Sequence, residues 1–175
     1  GYIGDRAPDF LFANDRSSQI LYFRYGPDGQ VYAIDWYDIQ QCHTKRPEDH
    51  DRGNGRIYRI VYQNAPAVKV DLSQWSDMQL LAALSHDNQW FARTARRLLQ
   101  ERSQAKGFDA TEDVLVSTLQ KSTDVVEQLN VLWTLAACDR FDRSLFDWTL
   151  RHSDPCIRSW GIQFAVEHAA AIGES

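Results

Sequence analysis

Hydrophobic and polar positions alternate with a period of two in the first third of the chain. Two stretches rich in β-forming residues, 19–25 and 30–36, flank the turn sequence Gly26-Pro27-Asp28-Gly29. An Asp-Gly pair between two such stretches is typical of a β-hairpin. A third alternating stretch, 56–62, follows a longer polar segment. The pattern predicts an antiparallel meander of three strands, whose open edges and one face need cover from elsewhere.

The hydrophobic period changes toward 3.6 after Asn64-Ala65-Pro66, and the rest of the chain reads as helices. We therefore divide the chain into a β-rich segment, 1–64, and a helical segment, 65–175. The fold class is α+β by segment. Helices are expected at about 78–84, 90–99, 111–121, 124–138, 142–152 and 155–171.

Three turns of the helical segment resemble one another. They start at Asn88, Asp124 and Asp154, so successive turns are about 30 to 36 residues apart, which is the size of a two-helix repeat. Each turn places a polar cap before an apolar helix face, as in the Asp-Pro-x-Val-Arg pattern of HEAT repeats. The best copy is Asp154-Pro155-Cys156-Ile157-Arg158. The sequence thus predicts a HEAT-like repeat stack.

Charge and composition narrow the class of partner. The formal net charge is -5, which argues against nucleic acid, because binding to phosphates needs clustered cations. No apolar run reaches the roughly 20 residues of a membrane span. The cysteines show neither a zinc spacing nor a haem-attachment motif. Four arginines fall on one predicted helix, and we interpret them as a solvated face: Arg93, Arg96, Arg97 and Arg102.

Polar residues that suit a site gather at the end of the second predicted strand. Asp35 and Asp38 are candidate ligands for Ca²⁺, which prefers carboxylate oxygens. His43, in the loop that follows, is the candidate catalytic base. A structural role stays open beside these assignments, because an aspartate at the end of a strand often caps the next turn and a loop histidine is often only solvated.

Two residues of the third predicted strand are candidates for cofactor binding. Arg56 offers a planar guanidinium that bonds carboxylates in pairs, and Tyr58 lies on the same side of the strand. The alternative is that these side chains pair with neighbouring strands of the sheet.

The motifs of this β-rich segment resemble a known family. Asp28-Gly29-Gln30-Val31-Tyr32-Ala33-Ile34-Asp35-Trp36-Tyr37, then Cys42-His43, then Gly55-Arg56-Ile57-Tyr58-Arg59 look like the closing propeller blade of planctomycete-type (PVC-type) membrane-bound dehydrogenase proteins. The form in that family is Asp-Gly-x-hydrophobic-Tyr-x-x-Asp-Trp-Tyr, a His-bearing loop and Gly-Arg-Ile-Tyr-Arg. The resemblance covers about residues 9–62. It extends in kind into the helical segment, since that family places HEAT-like repeats after its propeller.

The resemblance implies that residues 1–64 are a partial β-propeller, its last blade, in a fragment of a larger protein. The parent would be related to sugar dehydrogenases and would oxidise a sugar or alcohol with a quinone cofactor and Ca²⁺. It would be exported or periplasmic and associated with the membrane, and the remaining blades would be partners of this chain. The chain alone is not expected to turn over substrate.

A second hypothesis comes from a different class of function. The chain would be a non-catalytic scaffold, whose HEAT-like repeats offer a concave surface to a protein partner.

Overall fold

The computed structural model of the protein describes residues 3–36, 46, 48, 53–104 and 108–173, except for the side chains of 170 and 171. The chain divides into two compact units, Gly1–Val68 and Lys69–Ser175. The predicted boundary was at residues 64 and 65. Among the described residues the first unit carries the strands and the second carries the α-helices, so the α+β class by segment is confirmed.

The first unit is built on an antiparallel sheet of three strands, as the alternating pattern predicts. The strands β1 (Ile20–Tyr25), β2 (Val31–Asp35) and β3 (Arg56–Ile60) lie in the order β1-β2-β3. β2 is therefore central, with Ala33 opposite Phe23 of β1 and opposite Tyr58 of β3.

The turn between β1 and β2 follows from its residue types. Gly29 has φ 72°, a left-handed conformation that glycine adopts without steric cost. The Asp28 carboxylate accepts the backbone N–H of Gln30 at 3.0 Å, which closes an Asx-turn. The hairpin is completed by the Gly26 N–H, which donates to the Gln30 carbonyl at 2.9 Å.

The sheet buries few side chains. Ala33 and Asp35 of β2 are buried, whereas Phe23, Ile34 and Ile57 are exposed, Ile57 to 74% of its surface. These exposed side chains lie on both faces, because Phe23 is opposite Ala33 whereas Ile57 is opposite Ile34. Apolar burial within this unit is thus small, and polar contacts carry more of its stability.

The second unit consists of helices that follow a 3-10 turn at Leu72–Gln74. Among the described residues no helix is long and apolar enough to cross a bilayer. The last predicted helix, 155–171, is divided in the structure, because His168 leaves the helical region with φ -112° and ψ 34°. The helices are α1 (Asp77–Ala83), α2 (Gln89–Arg102), α3 (Asp109–Lys121), α4 (Val125–Ala137), α5 (Arg143–Leu150), α6 (Pro155–Glu167) and α7 (Ala169–Gly173).

The helices pack as three successive hairpins. α1 packs against α2, α3 against α4, and α5 against α6. The second helix of each hairpin meets its counterpart in the next, since α4 contacts both α2 and α6, so α2, α4 and α6 form one layer. The core between the helices is made of buried aliphatic side chains, among them Leu80, Leu99, Leu115, Leu119, Leu132, Leu135 and Ile157.

Each helix of this layer begins with a side chain that caps it. The carboxamide of Asn88 accepts the N–H of Trp90 at 2.9 Å at the start of α2. The Asp124 and Asp154 carboxylates accept the N–H two residues on, at 2.8 Å for α4 and 2.7 Å for α6. These three bonds satisfy backbone donors that a first helical turn leaves without partners.

The residue two positions before each cap accepts a second hydrogen bond, from the backbone N–H of the cap residue, and this contact recurs in all three turns. His86 Nδ1 accepts the N–H of Asn88 at 2.9 Å, and His152 Nδ1 accepts the N–H of Asp154 at 3.0 Å. In the middle turn the Ser122 hydroxyl accepts the N–H of Asp124 at 3.1 Å. The two histidines therefore help to build the turns in which they lie.

Two cysteines of the helical unit are free thiols. Cys138 is buried and Cys156 is exposed. Burial, the largest influence, raises the pKa of the Cys138 thiol to about 11, so this side chain stays protonated and packs as an apolar group. Cys42 lies outside the described residues.

The close approach of α5 and α6 depends on Gly161. A Cβ at this position would lie 2.5 Å from Thr149 Cβ and closer still to its Oγ1. We expect Gly161→Ala to destabilise the unit by about 1–3 kcal/mol, the usual cost of overpacking, in urea unfolding followed by tryptophan fluorescence. The exposed Ser159→Ala on the same helix is the control. In a Thr149→Gly background, which lacks both the Cβ and the Oγ1 that the new methyl group would meet, Gly161→Ala should cost much less. Equal stability of Gly161→Ala and wild type would contradict this packing.

Candidate functional site

The Asp35 carboxylate is buried at the end of β2, and its two oxygens bind different groups. Oδ1 accepts the Gln19 N–H at 2.7 Å and the Ser18 hydroxyl at 3.2 Å. Oδ2 accepts Arg56 Nε at 2.7 Å and lies 2.6 Å from Arg56 Nη2. The pair forms because the sheet register places Asp35 opposite Arg56. A buried charge that is paired and hydrogen-bonded in this way is compensated without a ligand.

Arg56 extends the same network to the loop before β1. Its Nη1 donates to Asp15 Oδ2 at 2.8 Å, and its Cζ lies 5.3 Å from the centre of the Tyr58 ring. The Ser17 N–H and then Arg56 lower the pKa of Asp15. Burial alone would lower the pKa of Arg56, but Asp35 and Asp15 outweigh it and raise that pKa. The charged forms of Asp15 and Arg56 are thus both stabilised by contacts within the fold. We call Asp15, Asp35 and Arg56 the first clamp.

A second clamp, formed by Asp28, Tyr32 and Arg59, lies near the hairpin turn. Asp28 Oδ2 accepts Arg59 Nε at 2.7 Å and the Tyr32 hydroxyl at 3.0 Å. Burial pushes the pKa of Asp28 up, but the bonds from Gln30 N–H, Arg59 and Tyr32 together lower it below the ordinary 3.8. Burial and the Asp28 charge raise the pKa of Tyr32. The hydroxyl therefore remains a donor.

Arg59 also fixes the chain after β3. Its Nη2 donates to the carbonyls of Ala65 at 2.8 Å and Pro66 at 3.0 Å. One guanidinium thus joins the hairpin turn to the segment after β3, which gives a structural reason for the second arginine of that strand.

The structure brings together three of the five predicted site residues. Arg56 contacts both Asp35 and the Tyr58 ring, whereas Asp38 and His43 lie outside the described residues. Within the described part of the chain, no group of three or more His, Cys, Asp or Glu residues could hold a metal ion. The catalytic, cofactor and metal assignments remain predictions. The observed contacts of Arg56 agree with the alternative interpretation, in which this side chain pairs with a residue of the neighbouring strand.

A small cleft of about 290 Å³ lies beside β3. It is lined by Leu11, Phe12 and Ala13 from the segment before β1 and by Tyr58, Arg59 and Ile60. Its walls are mainly apolar, and the one charged residue, Arg59, bonds to Asp28. The cleft therefore offers an apolar surface beside Tyr58 and no charged group without a partner.

One residue of note was not singled out by the sequence. Arg96 of α2, grouped above with solvated arginines, is half-buried and reaches α4. Its Nη2 donates to Asn130 Oδ1 at 2.9 Å, and its Cζ lies 5.2 Å from the centre of the Trp133 ring. A polar residue facing a neighbouring helix leaves no local signal, because the contact joins residues 34 positions apart in sequence.

Comparisons of the chain with protein-family models, with curated proteins and with solved structures found no match.

The second clamp should make the first unit sensitive to acid. Because the pKa of Asp28 is lowered on folding, its contribution is complete above the unfolded value of about 3.9 and is lost as the pH falls through the lower folded pKa. We expect the urea midpoint of the β2 amide signals, measured by NMR from pH 7 to pH 2.5, to fall most steeply below pH 4. Asp28→Asn should lower the midpoint at pH 7 and flatten this profile, and an unchanged slope would contradict the assignment.

The first clamp is predicted to be a stability determinant. Asp35→Asn keeps the shape of the side chain but removes the buried counter-charge of Arg56, which then keeps only its pair with Asp15. We expect this to cost about 1.5–3 kcal/mol, the contribution of a hydrogen bond to a charged group. Hydrogen exchange of the β2 and β3 amides measures the loss. Asp5→Asn removes the same charge from an exposed residue of this unit and should change protection little. Equal protection in the two variants would show that the clamp does not hold the sheet.

Proposed function

We propose that this chain is a non-catalytic interaction scaffold, in which a HEAT-like stack of helical repeats presents a surface to a protein partner. The observation that carries the proposal is the recurrence of one polar turn before α2, α4 and α6. Repeat proteins stack similar units in this way, and their extended surfaces serve mainly for binding. The meander contributes a rigid framework held by its two clamps.

The surface of the α2-α4-α6 layer supports a binding role. Ile162 and Val166 of α6 lie one helical turn apart and are both exposed, Val166 to 77% of its surface, and Val126 of α4 is exposed as well. Ile162 and Val166, which are neighbours on one helix, form a small exposed apolar patch, and a contiguous patch is more typical of a partner surface than single exposed residues are.

The chemistry of the meander supports the non-catalytic part of the proposal. Catalytic acids and bases need access to substrate and a pKa suited to proton transfer. Asp35 is buried and has contacts on both oxygens, and the pKa of Asp28 is lowered, so it stays ionised at neutral pH. These carboxylates are suited to holding arginines.

A second candidate function follows from the resemblance of the sequence motifs to the dehydrogenase-like propeller family. The chain would then be the last blade and the helical repeats of an exported dehydrogenase-like propeller protein, with a quinone and Ca²⁺ bound in the parent. The exposed side chains on both faces of the sheet, such as Phe23 and Ile57, favour cover by further blades. Asp38 and His43 would contribute from the segment between β2 and β3.

A crosslinking experiment tests the scaffold proposal. A photoreactive benzoylphenylalanine is placed at one of two exposed positions. Gln163 of α6 lies one turn from Trp160, which contacts α4, so it is on the α2-α4-α6 layer. Ser144 lies on α5, outside that layer. After irradiation in cells that produce the protein, we expect a defined crosslinked species from the Gln163 position and at least fivefold less from the Ser144 control.

Two outcomes would contradict the scaffold proposal. One is equal crosslinking from both positions, which would mean that the layer is not a preferred surface. The other is turnover in a panel of sugars, with quinone cofactor, Ca²⁺ and an artificial electron acceptor added to the full-length protein, that disappears in a His43→Ala variant. That result would favour the dehydrogenase function.

A further inference from the structure

The arginines of α2 differ in what they contact. Arg97 pairs with Glu101 one turn further along the helix. Arg102 donates to Asp77 Oδ1 at 2.7 Å and to the carbonyls of the 3-10 turn region. Arg96 instead crosses to α4 and contacts only neutral groups in the described part of the chain. Of these three guanidinium groups, Arg96 is the one without a carboxylate partner.

The environment of Arg96 is unusual for a cation. Nη2 donates to Asn130 Oδ1 at 2.9 Å, and Nε reaches Thr134 Oγ1 at 3.4 Å, so these two bonds use a minority of its five N–H donors. Asn130 and Thr134 are themselves buried. Burial, and then the nearby charge of Arg93, lower the pKa of Arg96. The structure thus holds a partly desolvated positive charge with hydrogen-bonding capacity left over.

A second donor lies beside this cation. The Trp133 ring contacts the Arg96 guanidinium, and its indole Nε1 is buried with no acceptor among the described residues. A buried donor without a partner typically costs about 1–3 kcal/mol. Because the Trp133 Nε1 is enclosed by the protein, an added acceptor would bond to the donors that Arg96 has left, and beside a guanidinium an anion is favoured.

Apolar surface continues from Trp133 toward α6. Trp133 and Trp160 meet edge to face with their ring centres 5.4 Å apart. The same two rings line a cleft of about 280 Å³ together with Ala136, Ala137 and Phe164, and Glu167 and His168 complete it. A short apolar side chain would fit such a space, next to the position at which an anion would meet Arg96.

A polyanion suits this surface poorly. The neighbouring cleft, which Asn130 also lines, carries three acidic residues, Asp87, Asp124 and Glu127. Nucleic acids and polyphosphates need several clustered cations, and these carboxylates would repel them. A single carboxylate carries less negative charge, so these residues and Glu167 of the aromatic cleft oppose it less than a polyanion, and one guanidinium is enough to pair with it.

We propose that Arg96 anchors a carboxylate of a peptide segment of the protein partner, with an adjacent apolar side chain in the Trp133–Trp160 cleft. The inference rests on the scaffold function proposed above and names the chemistry of its partner. Arg96 supplies a planar pair of N–H donors, which fit the two oxygens of an Asp or Glu side chain. Trp133 forms the wall that joins the two subsites.

Selection from a random peptide library tests this proposal on the full chain. Phage-displayed dodecapeptides are selected on the wild-type protein, and the enriched peptides are synthesised and measured by fluorescence anisotropy. We expect an Asp or Glu next to a large apolar residue in the enriched sequences. Replacing that acid by its amide should weaken binding about tenfold or more, the size of a charge-assisted hydrogen bond, without any change to the protein.

Variants of the protein give the matched comparison. Arg96→Gln should weaken the acidic peptide by about tenfold or more, whereas Arg97→Gln removes the same charge from an exposed position one residue away and should stay within about twofold. Arg96→Lys should give an intermediate loss, because it keeps the charge but not the fork of donors. Thermal unfolding of each variant shows whether it is folded.

The remaining outcomes overturn the proposal in different ways. Enriched peptides without an acidic residue would refute the carboxylate partner and leave the scaffold function standing. Acidic peptides that bind Arg96→Gln as well as wild type would refute Arg96 as the anchor. A library that yields no binder, while the Gln163 position still crosslinks a cellular partner, would show that the partner is not recognised through a short acidic segment.

Discussion

Each of the helices α2, α4 and α6 begins with backbone N–H groups that its own hydrogen bonds cannot satisfy. The chain meets this constraint in the same way three times, with a capping side chain at Asn88, Asp124 or Asp154 and an acceptor two residues earlier. The turn fixes where each helix starts and thus which side chains face the next hairpin. The common layer, and the position of Arg96 against Trp133, depend on this repeated start.

The meander is stabilised by a different means. Its apolar side chains are largely exposed, so the buried contacts within it are few. Two carboxylates and two arginines compensate by joining strands to each other and to the loops, through Asp35 with Arg56 and Asp28 with Arg59. The charged side chains of the meander therefore stabilise its fold, whereas Arg96 on α2 has N–H donors left for a partner.

Much of the fold could be predicted from the sequence because it depends on local pattern. The period-two alternation and the Asp28-Gly29 turn give the hairpin, and the switch to a period near 3.6 gives the helices. The polar residues at Asn88, Asp124 and Asp154 mark the helix starts, because capping requires those residue types. A break at His168 escaped prediction, since the apolar spacing continues through it.

The candidate site could be predicted only in part, because the role of a charged residue depends on what lies opposite it. Asp35 could be named as functional or structural, but its pairing with Arg56 follows from the register of two strands that are about 20 residues apart in sequence. Arg96 had the appearance of one solvated arginine among four, and its burial becomes evident only when α4 packs against α2. Contacts at such separations have no periodic signature in the sequence.

In the proposal made above, the helical layer, and not the meander, is the binding surface. NMR spectra of the arginine Nε–H and tryptophan indole signals, recorded during titration of the full chain with a selected acidic peptide, test it in one experiment. We expect saturable shifts of the Arg96 Nε and Trp133 Nε1 signals, with those of Arg56 and Arg59 unchanged because both already pair with carboxylates. Shifts of Arg56 and Arg59 with Arg96 and Trp133 unchanged would contradict it.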